Sequence, residues 1–224
     1  MKTNKIENKM KKFIALFSLI FLALVGFSQN DLAATALLDE VSAKTERYVS
    51  LKIEFNMYIE NLQHPKRDEH KGSAVYKSGL YKLDIMGQIV FSNGTTNWTY
   101  LKDAEEVNIT DNADNKDAMM NPQSLLKDYK SNFKVRYIAD KFEQNRPLVE
   151  IDLIPKTIED KKYSKITVKI DKTKKQIYSV RYIGKDGVSY LIEIYKFVEN
   201  PAVSDAEIKF SNALFPHAEV IDMR

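Results

Sequence analysis

The stretch Ile89-Val90-Phe91-Ser92-Asn93-Gly94-Thr95-Thr96-Asn97-Trp98-Thr99-Tyr100 decides how the chain is read. An apolar run meets Asn93-Gly94, and Thr96, Trp98 and Tyr100 follow at alternate positions. Asn-Gly between two such runs predicts a tight β-hairpin, because both central residues of a type I′ turn need positive φ. Side chains alternate across a strand, so Trp98 and Tyr100, two apart, share a face. That face is either an ordinary core or the wall of a cavity for an apolar ligand.

The same period continues on both sides of the hairpin. Leu51, Ile53, Phe55, Met57 and Ile59 alternate with polar partners, which predicts a long antiparallel strand with one buried face. Gln63 to His70 reads as a polar turn, Gly72 to Lys77 as the return strand, and Tyr81, Leu83 and Ile85 as the next. Val107 to Ile109 is a further short strand. Segments 133–142, 147–154, 163–171, 175–184 and 187–198 alternate again, with Asp186-Gly187 as a second hairpin turn. Glu207 to Phe210 is expected to add a strand, and Pro216 to Met223 a tail along the sheet edge. Two helices interrupt the pattern. Asp31 caps one running to about Arg47, with Leu32, Thr35, Ala36, Leu38, Asp39 and Val41 as a mixed inner face. Asn121-Pro122 starts a short one carrying Leu125 and Leu126, with Met119 and Met120 before it.

Outside the sheet the clearest feature is the N-terminus. Five lysines precede the apolar run Phe13 to Phe27, and Gly26 and Ser28 stand at the −3 and −1 positions of a cleavage site. The run is shorter than the roughly 20 residues of a spanning helix, so residues 1–28 are expected to be a cleaved signal peptide and 29–224 one domain. Removing them leaves 29 basic and 30 acidic side chains, which takes away the basic surface that nucleic-acid binding needs. With no cysteine there is no disulfide, no thiolate chemistry and no lipidated N-terminal cysteine.

The chain offers little for catalysis. His64 and His70 flank Pro65-Lys66-Arg67-Asp68-Glu69, a spacing that suits no metal site, and the two cations would repel one. Nucleophile elbows, phosphate loops and zincin motifs do not occur. No enzyme activity, metal or cofactor is expected. What remains is an apolar inventory on a curved sheet. Phe55, Met57, Ile59, Leu83, Ile85, Phe91, Trp98, Tyr100, Ile151 and Leu153 are the candidates for one interior, joined by Val149, Val168, Tyr190 and Ile192. Met119, Met120, Leu125 and Leu126 are the candidate lid. Periodicity leaves open whether the interior is filled by side chains or holds a ligand.

Several pieces resemble the periplasmic outer-membrane lipoprotein carrier (LolA) family, in order along nearly the whole mature chain. Ile89-Val90-Phe91-Ser92-Asn93-Gly94 with Trp98-Thr99-Tyr100 is similar to its I-V-S-D-G-x-x-x-W-x-Y hairpin. Asn121-Pro122-Gln123-Ser124-Leu125-Leu126 resembles its lid helix, and Val149 to Lys156 its F-x-L-x-P-K strand end. The tail with Phe210, Phe215-Pro216 and Val220-Ile221-Asp222 resembles the family's C-terminus.

The resemblance implies a mainly β fold: an incomplete, half-open antiparallel barrel of about 10–12 strands with a helical lid, like LolA and LolB. It implies a monomeric periplasmic carrier without covalent chemistry, taking acyl chains of lipoproteins from the inner to the outer membrane. Its partners would be acylated lipoproteins, an inner-membrane lipoprotein-releasing ABC transporter and an outer-membrane acceptor. The alternative is a lipid-binding or sensor module of the same fold. The family's lid-holding arginine falls on Ser78, beside Lys77. Trp98 is expected to sense an acyl ligand.

Overall fold

The computed structural model describes residues 29–61, 63, 66–111, 125–127, 129–159 and 161–224. The expected signal peptide, His64, Met119, Met120 and the Asn121-Pro122 helix start lie outside the described residues. Within them the alternating segments form β1 (Ser50–Asn61), β2 (Lys66–Lys77), β3 (Leu80–Ile85), β4 (Gln88–Ser92), β5 (Thr96–Leu101) and β6 (Glu106–Asp111). A second series follows: β7 (Phe133–Glu143), β8 (Arg146–Pro155), β9 (Tyr163–Asp171), β10 (Gln176–Gly184), β11 (Val188–Glu199) and β12 (Glu219–Asp222). They make one sheet in the order β12-β6-β5-β4-β3-β2-β1-β11-β10-β9-β8-β7, whose end strands do not pair with each other. The expected open barrel is therefore present. Only β12 runs parallel to its neighbour, lying along β6 as the edge-packing tail.

The concave side holds most of the core. Leu51, Ile53, Phe55 and Met57 of β1 face Tyr76, Ala74 and Gly72 of β2 and Ile194 and Ile192 of β11. Gly72 matters because a Cβ there would lie 2.5 Å from the Phe55 ring and 2.7 Å from Ile85 Cδ1. Phe55 thus crosses β2 at the one position where nothing projects, and larger residues would force it aside.

Three elements differ from the expectation. β2 starts at Lys66, inside the stretch read as a polar turn. Lys66 to His70 has no strand propensity, but the 12-residue β1 offers it backbone partners down to Asn61. At the 93–96 hairpin Asn93 N–H donates to Thr96 O, so the central pair is Gly94-Thr95, with Gly94 at φ +90°. Asn93 leaves the positive-φ position because its carboxamide oxygen accepts from the N–H groups of Thr95 and Thr96 instead. The shift moves the pairing by two residues and leaves every side chain on its face. Glu207 to Ile208 is helical: α3 (Asp205–Ile208; α1 and α2 are given below) begins at Ser204, whose hydroxyl accepts from Glu207 N–H.

Candidate functional site

Residues 29–46 form helix α1, which lies across the concave face. Ala34, Leu37, Leu38 and Val41, at i, i+3, i+4 and i+7, are the residues it buries there. The sequence reading had the inner face turned by part of a turn: Leu32 and Ala36 are exposed. Asp31 is inside the helix rather than its cap, and its Oδ1 accepts from Tyr137 N–H at 2.7 Å, tying the helix to the free edge of β7. Leu125, Leu126 and Tyr129 complete the cover, Tyr129 opening the short helix α2 (Tyr129–Asn132).

Polar contacts around the rim fasten this cover. The Tyr129 hydroxyl stands 2.8 Å from Asp39 Oδ1 and 3.0 Å from Thr35 O, and Lys130 Nζ is 2.7 Å from Asp39 Oδ2. Burial would raise the Asp39 pKa, but hydrogen bonds from Lys130 and Tyr129 outweigh it and hold the carboxyl below its ordinary value. Burial and the same carboxylate push the Tyr129 phenol up, so it stays a donor. At the other end of α1, Lys44 pairs with Glu199 at 2.7 Å and Glu40 with Lys175 at 2.8 Å.

The structure divides the predicted interior residues into two groups. Phe55, Met57, Leu83, Ile85, Ile151 and Leu153 share the concave core with Leu125 and Leu126, and Ile59 packs against it. Phe91, Trp98 and Tyr100 do not; they face the convex side. Phe91 pairs with Lys82 and Trp98, whereas its neighbour Val90 pairs with the concave Leu83. What covers them is the C-terminal segment. Trp98 stacks on Phe210 at 5.6 Å and Tyr100 on Phe215 at 3.9 Å between ring centroids, and Phe91 meets Phe210 edge-on. The alternation of the hairpin is as read, but its apolar face is buried by a strap from the far end of the chain. Phe210 and Phe215 were the sequence signal for that strap: two aromatics in a tail otherwise short of core residues.

The family model described as outer membrane lipoprotein carrier protein LolA matches residues 74–174, from mid-β2 through the cover to the β9–β10 turn. Over those residues the chain is similar to the LolA family. None of the curated proteins matches it in sequence. Among solved structures, an uncharacterized conserved protein from Thermus thermophilus superposes with a TM-score of 0.57 at 10% identity, over 85% of this chain and 99% of that one. That likeness shows the shared fold. LprF from Mycobacterium bovis (TM-score 0.47, 11% identity, 80% and 96% covered) is also similar. So is a putative outer membrane lipoprotein-sorting protein domain from Vibrio parahaemolyticus (0.43, 12%, 78% and 95%).

Among the described residues no hydrogen bond or ion pair is seen from Ser78 or Gly79 of the β2–β3 turn to α1 or α2. Ser78, at the position of the family's arginine, is exposed with φ +50°. The Lys77 ammonium donates to Val203 O at 2.7 Å on the convex side. Asp39 joins α1 to Tyr129 and Lys130, a contact that spacing in the sequence does not reveal, since Asp39 and Tyr129 are 90 residues apart. Beside the C-terminal end of α1 lies a pocket of about 340 Å³, lined among others by Thr45, Glu46, Tyr76, Lys77, Leu126 and Lys127. Its volume falls at the lower end of small-molecule sites. Among the described residues no helix is long and apolar enough to cross a membrane, and no three metal-binding side chains cluster.

Proposed function

We propose that the protein is a periplasmic carrier, exported by a cleaved segment 1–28, whose single domain 29–224 takes lipoprotein acyl chains onto the concave face. It receives them from an inner-membrane releasing transporter and gives them to an outer-membrane acceptor. One observation supports this reading: among the described residues an apolar sheet face is closed by a short list of side chains, Ala34, Leu37, Leu38 and Val41 of α1 with Leu125, Leu126 and Tyr129. Lifting α1 exposes Phe55, Met57, Ile151 and Leu153 as an acyl-binding wall. Each buried methylene gains about 0.8 kcal/mol, and re-exposing a Leu or Val costs about 1.5–3 kcal/mol. The helix therefore offsets part of the gain, which keeps affinity graded and lets the cargo leave.

Leu125 and Leu126 move with the cover in this scheme. Nothing in the transfer requires a covalent step. Purification from its own host followed by mass spectrometry is expected to yield an acylated protein. A delipidated lipoprotein that competes as well as the acylated one would sink the carrier reading, and recovery of free lipid alone would replace it with a lipid-binding module.

A further inference from the structure

Two neighbouring strands part inside the sheet. The pairing of β10 with β11 ends at Ser179–Glu193. Beyond that point β10 reaches back to Gln176 and β11 runs on to Glu199, each paired there on its outer side, β10 with β9 and β11 with β1. Both outer ladders carry an extra residue at the parting. Ile177 meets Ile170 and Ser179 meets Lys169, so Tyr178 bulges. Ile194 meets Phe55 and Lys196 meets Glu54, so Tyr195 bulges. Bulges bend their strands, and between these two a pocket of about 340 Å³ opens. Its lining includes Ile177 and Ile194 of the concave core and Phe197, which packs against that core. Arg146, Lys174, Lys196, Asp171 and Glu199 line it too.

The charges at this slit do not balance. Asp171 is 2% exposed, and its Oδ1 accepts from the N–H groups of Thr173 and Lys174. Glu199 is held by Lys44 at 2.7 Å, by the Tyr48 hydroxyl and by the Gln176 carboxamide, while Lys196 pairs with Glu54 at 2.6 Å. Arg146 and Lys174 are left over. The Arg146 guanidinium rests over the Tyr178 ring at 5.5 Å, and among the described residues neither cation is ion-paired. We propose that the slit binds the C-terminal end of a partner polypeptide in extended form. Its last peptide groups hydrogen-bond along the inner edges of β10 and β11, its terminal carboxylate meets Arg146 and Lys174, and its last apolar side chain lies on Ile177, Ile194 and Phe197. A lipid or a small acid could neutralise the cations but would leave the backbone edges without partners, whereas a peptide supplies both. The pocket is at the lower end of ligand-sized volumes, which suits a chain end rather than a strand running through. The proposal concerns a site apart from the acyl face and is independent of the carrier reading.

The test presents the full chain with an array of synthetic hexapeptides tethered by their N-termini. Together they carry every combination of the last two residues, each as the free acid and as the amide. Peptides ending in an apolar residue are expected to bind, and amidation should weaken them about tenfold or more, the loss of a charge-assisted pair. Arg146→Gln should bring the free acids down to the level of the amides and leave the amides unchanged. Lys174→Gln, at an exposed turn position, should weaken the acids about threefold and serves as the second variant. Methylating the last peptide nitrogen should weaken binding about tenfold, as backbone pairing requires. An array without a bound member, equal binding of acids and amides, or undiminished binding to both variants overturns the proposal. Competition by hexanoate at the concentration of the peptide would make the slit a site for small carboxylates, and overturns it as well.

Discussion

The two halves of the sheet use the same alternation in opposite senses. In β1 and β8–β11 the apolar residues point into the concavity and the charges point out, as with Asp152, which meets Arg136, Lys165 and Thr167 on the convex surface. In β4–β6 the aromatic residues point out, under Phe210 and Phe215, and Ser92, Asn97 and Thr110 point in. The first half is covered by α1, the second by a strap that pairs with β6 and is pinned by the Lys52–Glu207 ion pair at 2.6 Å. Inside and outside are therefore set by the segment that arrives to cover a face, since alternation alone supplies two faces and no preference between them.

The contrast is most easily broken at Phe55. Phe55→Ala is expected to lower unfolding stability by about 3–5 kcal/mol, because the ring is 2% exposed and nothing can refill its site over Gly72. Chemical denaturation measures it, and native Trp98 emission should stay unchanged because the indole lies on the other face. Phe210→Ala tests the opposite half. It removes the ring stacked on Trp98, for a loss of about 1 kcal/mol beyond the lost burial, and shifts Trp98 emission to the red. Acyl binding in the groove should not change, so equal disturbance of both signals would mean that the halves are not separate. Contrary to the expectation from sequence, an acyl ligand should leave Trp98 emission nearly constant.

The smallest effect is expected at the rim. Asp39→Asn weakens the contact with Lys130 and Tyr129, and since the Asp39 side chain is 46% exposed, solvent screening limits the loss to about 0.5 kcal/mol. Ligand uptake should quicken two- to threefold in stopped-flow measurements. The folded pKa of Asp39 is depressed, so its contribution is complete above the unfolded value near 4 and disappears as pH falls through the folded one. Wild-type uptake should therefore accelerate in acid below about pH 4, and the variant should lose that part of the dependence.

Local pattern made much of the fold legible. β9 coincides with the expected 163–171 segment, and β7, β8, β10 and β11 differ from theirs by a single residue at one end or both, because alternation over nine or more residues is hard to satisfy otherwise. The beginning of β2 was not legible, since Lys66 to His70 is a strand only because β1 is there to pair with it. Nor was α3, where a single serine cap outweighs the strand-like pattern of a four-residue stretch.

For the site, the residues of β1, β3 and β8 came out together, and those of β4 and β5 did not. Most of the strands, the N-terminal helix and the LolA resemblance could be read from the chain unaided, because each is written in neighbouring residues. Two things emerged from the assembled fold alone: which face of the Phe91–Tyr100 hairpin is inside, and where α1 is fastened. Those depend on contacts between segments far apart in the chain, such as Trp98 with Phe210 and Asp39 with Tyr129. A side chain's own propensity carries no information about such a partner, so burial, and with it function, is settled when the segments meet.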